Sequence, residues 1–287
     1  MDSEHRFKAV WHAIERPETQ PKFARKIITL DYGKFANDVM AQHPTFVEAV
    51  VQSLYAGDIY ILKNGFPKSF VYDLLENVHK YWNKTPSSFH KMVEGCPDFH
   101  RIQDEQIAAK YVFKSVRHSC YFFHWNGDPL GIIPPIMERW RVFKFLGGFR
   151  ADAYEHNTPK DGVIDRIQVA QYPPKIGISE THSDPWQNQR TFISAFMSKR
   201  GVDYEAGGFY VVGPGNVLID VEPDIDVGDV AIGYATVLHG VDRIDPQKEC
   251  DWSKKDGRWW LGLYSNSSDM VKERATGVRQ AVELKQG

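Results

Sequence analysis

A chain of 287 residues that is 42% hydrophobic and 25% charged has ordinary globular composition and enough apolar content for a sizeable core. Its formal net charge of −2 supplies no basic field for a phosphate backbone, so nucleic acid is not an expected partner. No apolar run approaches the length of a membrane span, the charged start "MDSEHRFKAVWHAIERPE" lacks the apolar region of a signal peptide, and Cys96, Cys120 and Cys250 are scattered like reduced thiols, so a cytoplasmic protein is expected.

The first part of the chain reads helical. Phe7, Val10, Trp11 and Ile14 recur at helical spacing. Pro44 suits a helix's first turn, followed by Phe46, Val47, Val50, Val51 and Leu54 on one face and a stop near Gly57. "DIYILKNG" reads as a short strand. "FPKSFVYDLLENVHKYW" restarts a helix with Phe70, Leu74, Leu75, Val78 and Trp82 as its stripe, and "PIMERWRVFKFLGG" predicts another, ended by its glycine pair. "RHSCYFFHW" alternates, placing His118, Cys120, Phe122 and His124 on one strand face. This strand is expected to flank the β core and to bring His118 to a substrate pocket.

Near Asp161 the periodicity changes. "VIDRIQVAQY", "TFISAFMS", "GGFYVVG", "NVLIDV", "DVAIGYATVLHGV" and "RWWLGLYS" are short β-rich runs separated by turn residues, the pattern of a sandwich or barrel. No linker composition accompanies the change, so one domain is expected: a helix-rich region 1–160, a β core 161–270 and a charged helix or tail 271–287.

Between two of these strands stands "THSDPW". A His-x-acid triplet arises by chance about once in a chain of this composition, so the triplet alone means little. A surface histidine and a turn aspartate before Pro185 are the bland readings. Two residues further along the chain change the weight: His239 at the end of a predicted strand, then Arg258 opening the last one. Two histidines and one carboxylate on successive strand ends are what a facial-triad iron site needs, leaving three coordination positions for cosubstrate and O₂.

From about Ile164 to Ser265 the chain resembles the non-haem Fe(II)/2-oxoglutarate-dependent oxygenases, particularly the branch with the prolyl hydroxylases. It supplies "QVAQYPP", "HSD", "RTFISAFMS", "GGFYVV", "VGDVAIGY", "LHGV" and "GRWWLGL" in the family's order. The resemblance implies an α+β fold, mainly β with flanking helices, around a double-stranded β-helix or jelly roll. It implies His182, Asp184 and His239 as iron ligands and catalytic residues. Arg258 becomes the residue that grips the far carboxylate of 2-oxoglutarate, with Tyr172 lining the cosubstrate pocket. The interval from His239 to Arg258 is longer than the family's usual one, which leaves Arg243 as a rival for that grip.

Charge supports the assignment. Fe²⁺, one aspartate and the 2-oxoglutarate dianion leave one negative charge, which a single guanidinium neutralises with a fork that matches a carboxylate. Trp186, Gln187 and Arg190, beside the metal loop, are expected on the substrate side, although Arg190 has an equal alternative role as a brace. The resemblance thus implies an Fe(II)- and 2-oxoglutarate-dependent dioxygenase that oxidises, most simply hydroxylates, a small organic substrate. A protein or peptide residue is the alternative substrate. A jelly-roll protein that holds metal without oxygenase chemistry is the alternative of another class.

Overall fold

The computed structural model describes residues 5–286. Helix α1 (Arg6–Ile14) buries Phe7 and Trp11, and the Trp11 indole donates to Leu146 O at 2.8 Å. Strand β1 (Ile27–Asp31) leads into α2 (Tyr32–Ala41), whose first turn is capped by the Asp31 carboxylate. Neither element is marked by a clear periodicity in the sequence. Helix α3 (Pro44–Tyr55) buries Val47, Val50, Val51 and Leu54, the expected face. Strand β2 (Ile59–Lys63) comes next, then α4 (Lys68–Trp82), which buries Val71, Leu74, Val78 and Trp82. Strand β3 (Phe99–Gln103), the single turn α5 (Glu105–Ala108), β4 (Ser115–Phe122) and α6 (Ile133–Leu146) complete this part. It is therefore more than a helical layer, since it also contributes four strands.

The remaining strands are β5 (Val163–Tyr172), β6 (Ile178–Ser183), β7 (Thr191–Phe196), β8 (Gly208–Gly213), β9 (Val217–Asp220), β10 (Val230–Tyr234), β11 (His239–Asp242) and β12 (Arg258–Ser267). The run "DVAIGYATVLHGV", expected as one strand, is two: β10 and β11 belong to opposite sheets, and the chain turns between them. After "VIDRIQVAQY", which forms β5, the chain turns at its proline pair into β6, so His182 sits inside a strand rather than in a loop between two.

The major sheet runs β1-β2-β10-β7-β12-β5-β4, with β3 beside β4; the minor one runs β6-β11-β8-β9. Strand β4 joins the two, pairing β5 through His118–Phe122 and β6 through Ser115 and Val116. This is the α+β, jelly-roll architecture expected. In the C-terminal segment, expected as a charged helix or a tail, two short strands pair with the minor sheet: β13 (Val278–Arg279) along β6 and β14 (Lys285–Gln286) along β9.

Alternation along the major sheet separates packing from chemistry. In β12, Trp259, Leu261 and Leu263 join the core shared with the helices, as do Ile167 and Val169 of β5. Arg258, Trp260 and Tyr264 of β12 and Tyr172 of β5 instead line the cavity between the sheets. The helices thus cover one face of the major sheet and leave the other to a site.

Candidate metal centre

His182 of β6 pairs in register with His239, the first residue of β11, which brings their ring centroids to 4.5 Å. His182 Nδ1 lies 2.7 Å from Glu180 O and His239 Nδ1 lies 2.9 Å from Val237 O. A carbonyl only accepts, so both Nδ1 atoms carry the proton and both Nε2 atoms keep a lone pair. Asp184, just beyond β6, is held by its backbone N–H donating to Ala235 O at 2.9 Å. Its Oδ2 lies 3.7 Å from His239 Nε2 and is buried without a hydrogen-bond partner among the described residues.

One donor atom from each of these residues lies within 4.8 Å of the other two. Burial pushes the His182 pKa well below the usual range, with His239 adding to the effect, and the same burial raises that of Asp184. Two neutral imidazoles and a carboxylate without a hydrogen-bond partner are a donor set for a divalent cation, because a cation supplies what each lacks. Phe113 stacks on His182 at 4.1 Å and Phe192 packs 4.7 Å from the His239 ring, fixing both imidazoles in orientation.

Arg258 lines the same cavity at 1% exposure. It stands opposite Tyr172 in the β12–β5 register, placed there by Gly257 at φ +102°, where a Cβ would lie 2.3 Å from Tyr172 O. Its Nε donates to Glu222 Oε1 at 2.6 Å, while Nη2 is buried without a partner among the described residues. The rival, Arg243, is half-buried and donates to Lys175 O at 2.8 Å; it does not line the cavity. The sequence does not single out Glu222, because it lies in "VEPD", a stretch that signals nothing beyond a turn. Gly208, at φ +129°, lets it approach: a Cβ there would lie 2.4 Å from Glu222 Cγ.

The expected substrate residues do not gather here. Arg190 spends its guanidinium on Glu15, at 2.9 Å, and on Gly147 O, so it braces α1 against the metal loop. Trp186 packs against the main core and Gln187 is exposed; neither lines the metal cavity. His118 is a correction as well. It faces the helices, stacked 3.9 Å from Trp82 with its Nε2 2.9 Å from His100 Nδ1. Strand β4 does flank the cavity, but through its other face: Arg117, one residue earlier, lines it. Trp260 and Tyr264, also in the lining, share the face of Arg258 by the two-residue strand period, a signal present in the sequence.

No family model matches this chain, and no curated protein matches it in sequence. Among solved structures it is similar to a full-length Neurospora crassa protein in complex with alpha-KG, with a TM-score of 0.50, 12% identity, and coverage of 88% of this chain and 87% of that one. It is also similar to JOX2 in complex with 2OG, Fe and JA (TM-score 0.49, 13% identity, 91% and 80% covered). A Pseudomonas putida prolyl-4-hydroxylase gives a TM-score of 0.44 at 13% identity, covering 81% of this chain and 98% of that one. The chain shares the fold of the Neurospora crassa protein. Identities this low speak for the fold and leave the chemistry to the side chains.

Proposed function

We propose that the protein is an Fe(II)- and 2-oxoglutarate-dependent dioxygenase acting on a small organic molecule. The observation that carries this reading is the convergence of His182 Nε2, His239 Nε2 and the unpartnered Asp184 carboxylate on a cavity that also holds an unpartnered edge of Arg258. His182, Asp184 and His239 would hold the metal, and bound Fe(II) supplies there the activation of O₂ that oxidises a substrate C–H while 2-oxoglutarate becomes succinate and CO₂.

The chain's own part is placement and exclusion of water. The carbonyls of Glu180 and Val237 fix the imidazole tautomers. Glu222 holds Arg258 by Nε, and Nη2, buried without a partner among the described residues, is left to receive a carboxylate, with Tyr172 as a wall beside it. Phe192, Phe209 and Trp260 keep the cavity apolar around these polar groups. A metal protein without oxygenase chemistry needs no buried guanidinium across from its metal, which favours the oxygenase over that alternative.

The test is anaerobic addition of Fe(II) and 2-oxoglutarate, read by the weak visible metal-to-ligand charge-transfer absorption, followed by exposure to air with a panel of small acids. Absorption that needs both additions, and succinate formed after air, are expected. No absorption and no succinate would refute the proposal.

A further inference from the structure

Glu222 alters the charge balance of the site. It cancels Arg258 at 2.6 Å, so the metal, Asp184, the cosubstrate dianion and this ion pair together still leave one negative charge. Two further guanidiniums lie close by. Arg117 of β4 lines the metal cavity, and its Nη1 donates to Tyr172 Oη at 3.3 Å. Arg166 of β5 donates to Gln168 Oε1 at 3.1 Å and lies over the Tyr264 ring at 5.0 Å. Neither forms an ion pair among the described residues, and the Nε of each is buried there without a partner. Counting both, the site carries one positive charge too many.

These two arginines also line a second cavity of about 310 Å³, a size suited to a small molecule. Arg117 is shared between the two cavities, and Phe113, which stacks on His182, forms part of the second cavity's wall. Phe99, Tyr111, Tyr121 and Phe123 give the rest an aromatic character. The acid in its lining, Asp269, is already paired with Arg274.

We propose that this cavity is the substrate site and that it takes a small organic carboxylate with an apolar or aromatic body, its carboxylate held by Arg117 and Arg166. The inference rests on the oxygenase reading for the neighbouring metal. A monocarboxylate gives Arg117 and Arg166, neither of which has an ion-pair partner among the described residues, an anionic acceptor, and places the body of the molecule beside the ring that covers His182. An amine or a neutral residue of a polypeptide brings no negative charge to the two guanidiniums.

The test compares phenylacetate with phenylacetamide by isothermal titration calorimetry, on the metal-free protein and on the Fe(II)/2-oxoglutarate complex kept anaerobic. Phenylacetate is expected to bind at least about tenfold more tightly than the amide in both. Arg166→Gln should remove most of that preference, and Arg166→Lys should restore part of it. Equal binding of acid and amide by the wild-type protein, which needs no variant to fold, would overturn the proposal. Failure of the oxygenase reading shows separately, as a missing charge-transfer absorption, and leaves the acid-against-amide comparison on metal-free protein standing.

Discussion

Asp184 sits where a carboxylate is a burden to the metal-free protein. Its Oδ2 is buried and unpartnered among the described residues, and burial raises its pKa. A carboxyl raised in this way favours folding only at pH values low enough to protonate it, and that contribution is lost as the pH rises through the folded value. At neutral pH, Asp184→Ala should therefore leave the metal-free protein as stable as wild type, or more stable by on the order of 1–3 kcal/mol, the usual cost of an unsatisfied buried polar group. The same change should weaken metal binding by at least about 100-fold, since one of three ligands is gone. Denaturant unfolding and metal titration read the two effects; a large loss of stability in the metal-free variant would mean that Asp184 is a structural carboxylate. Arg258 and Glu222 show the opposite balance. At 1% and 2% exposure they compensate each other, so removing either would strand a buried charge, and neither is a clean probe of cosubstrate binding.

At the level of elements, the site depends on how strands begin. Gly257 at φ +102° starts β12 and presses against the Tyr172 carbonyl, which places Arg258 directly opposite Tyr172. Gly257→Ala meets both a backbone clash and a left-handed conformation, a combination that costs more than the ~1 kcal/mol of the conformation alone. The affinity for 2-oxoglutarate should fall at least about tenfold, and the unfolding midpoint should drop as well. A variant with unchanged stability and unchanged cosubstrate affinity would show that β12 does not need this turn to present Arg258. Strand alternation also explains which expectations failed. The strand "RHSCYFF" was readable as a strand, but which of its faces met the site was not, because both faces are buried and both carry polar groups. His118 lies on the face packed against the helices, and Arg117 on the opposite face lines the cavity. The split of "DVAIGYATVLHGV" was hidden for a related reason, since both halves are apolar and nearly all buried.

On the scale of the whole molecule, the helical stripes and the turn-punctuated strands were legible because each buries one regular face. The cluster of His182, Asp184 and His239 was legible because the three residues stand in a recognisable order along the chain. The partners of those residues were not: Glu222, Arg117 and Arg166 are separated in sequence from what they serve, and only closure of the two sheets brings them together. Packing of α4 on the other face of the major sheet buries His118 between Trp82 and His100, where burial first, then the neighbouring His100, lowers its pKa to about 3. A histidine depressed in the folded state contributes stability above its unfolded pKa of about 6.5 and loses it as the pH falls toward the folded value. The protein should thus weaken on acidification below about pH 6.5, by at most ~1.4 kcal/mol per pH unit from this residue. His118→Gln should lower stability at pH 7 yet lessen the further loss between pH 7 and pH 5. Parallel denaturation curves for the two proteins across that range would assign the acid sensitivity elsewhere.

The most direct measurement is a crystal structure of the protein grown anaerobically with Fe(II) and 2-oxoglutarate. The expected result is one iron ion bound by His182 Nε2, His239 Nε2 and the Asp184 carboxylate, with the far carboxylate of 2-oxoglutarate on the free edge of Arg258. Iron bound elsewhere, or a 2-oxoglutarate carboxylate seated on Arg117 with Arg258 still held only by Glu222, would contradict it.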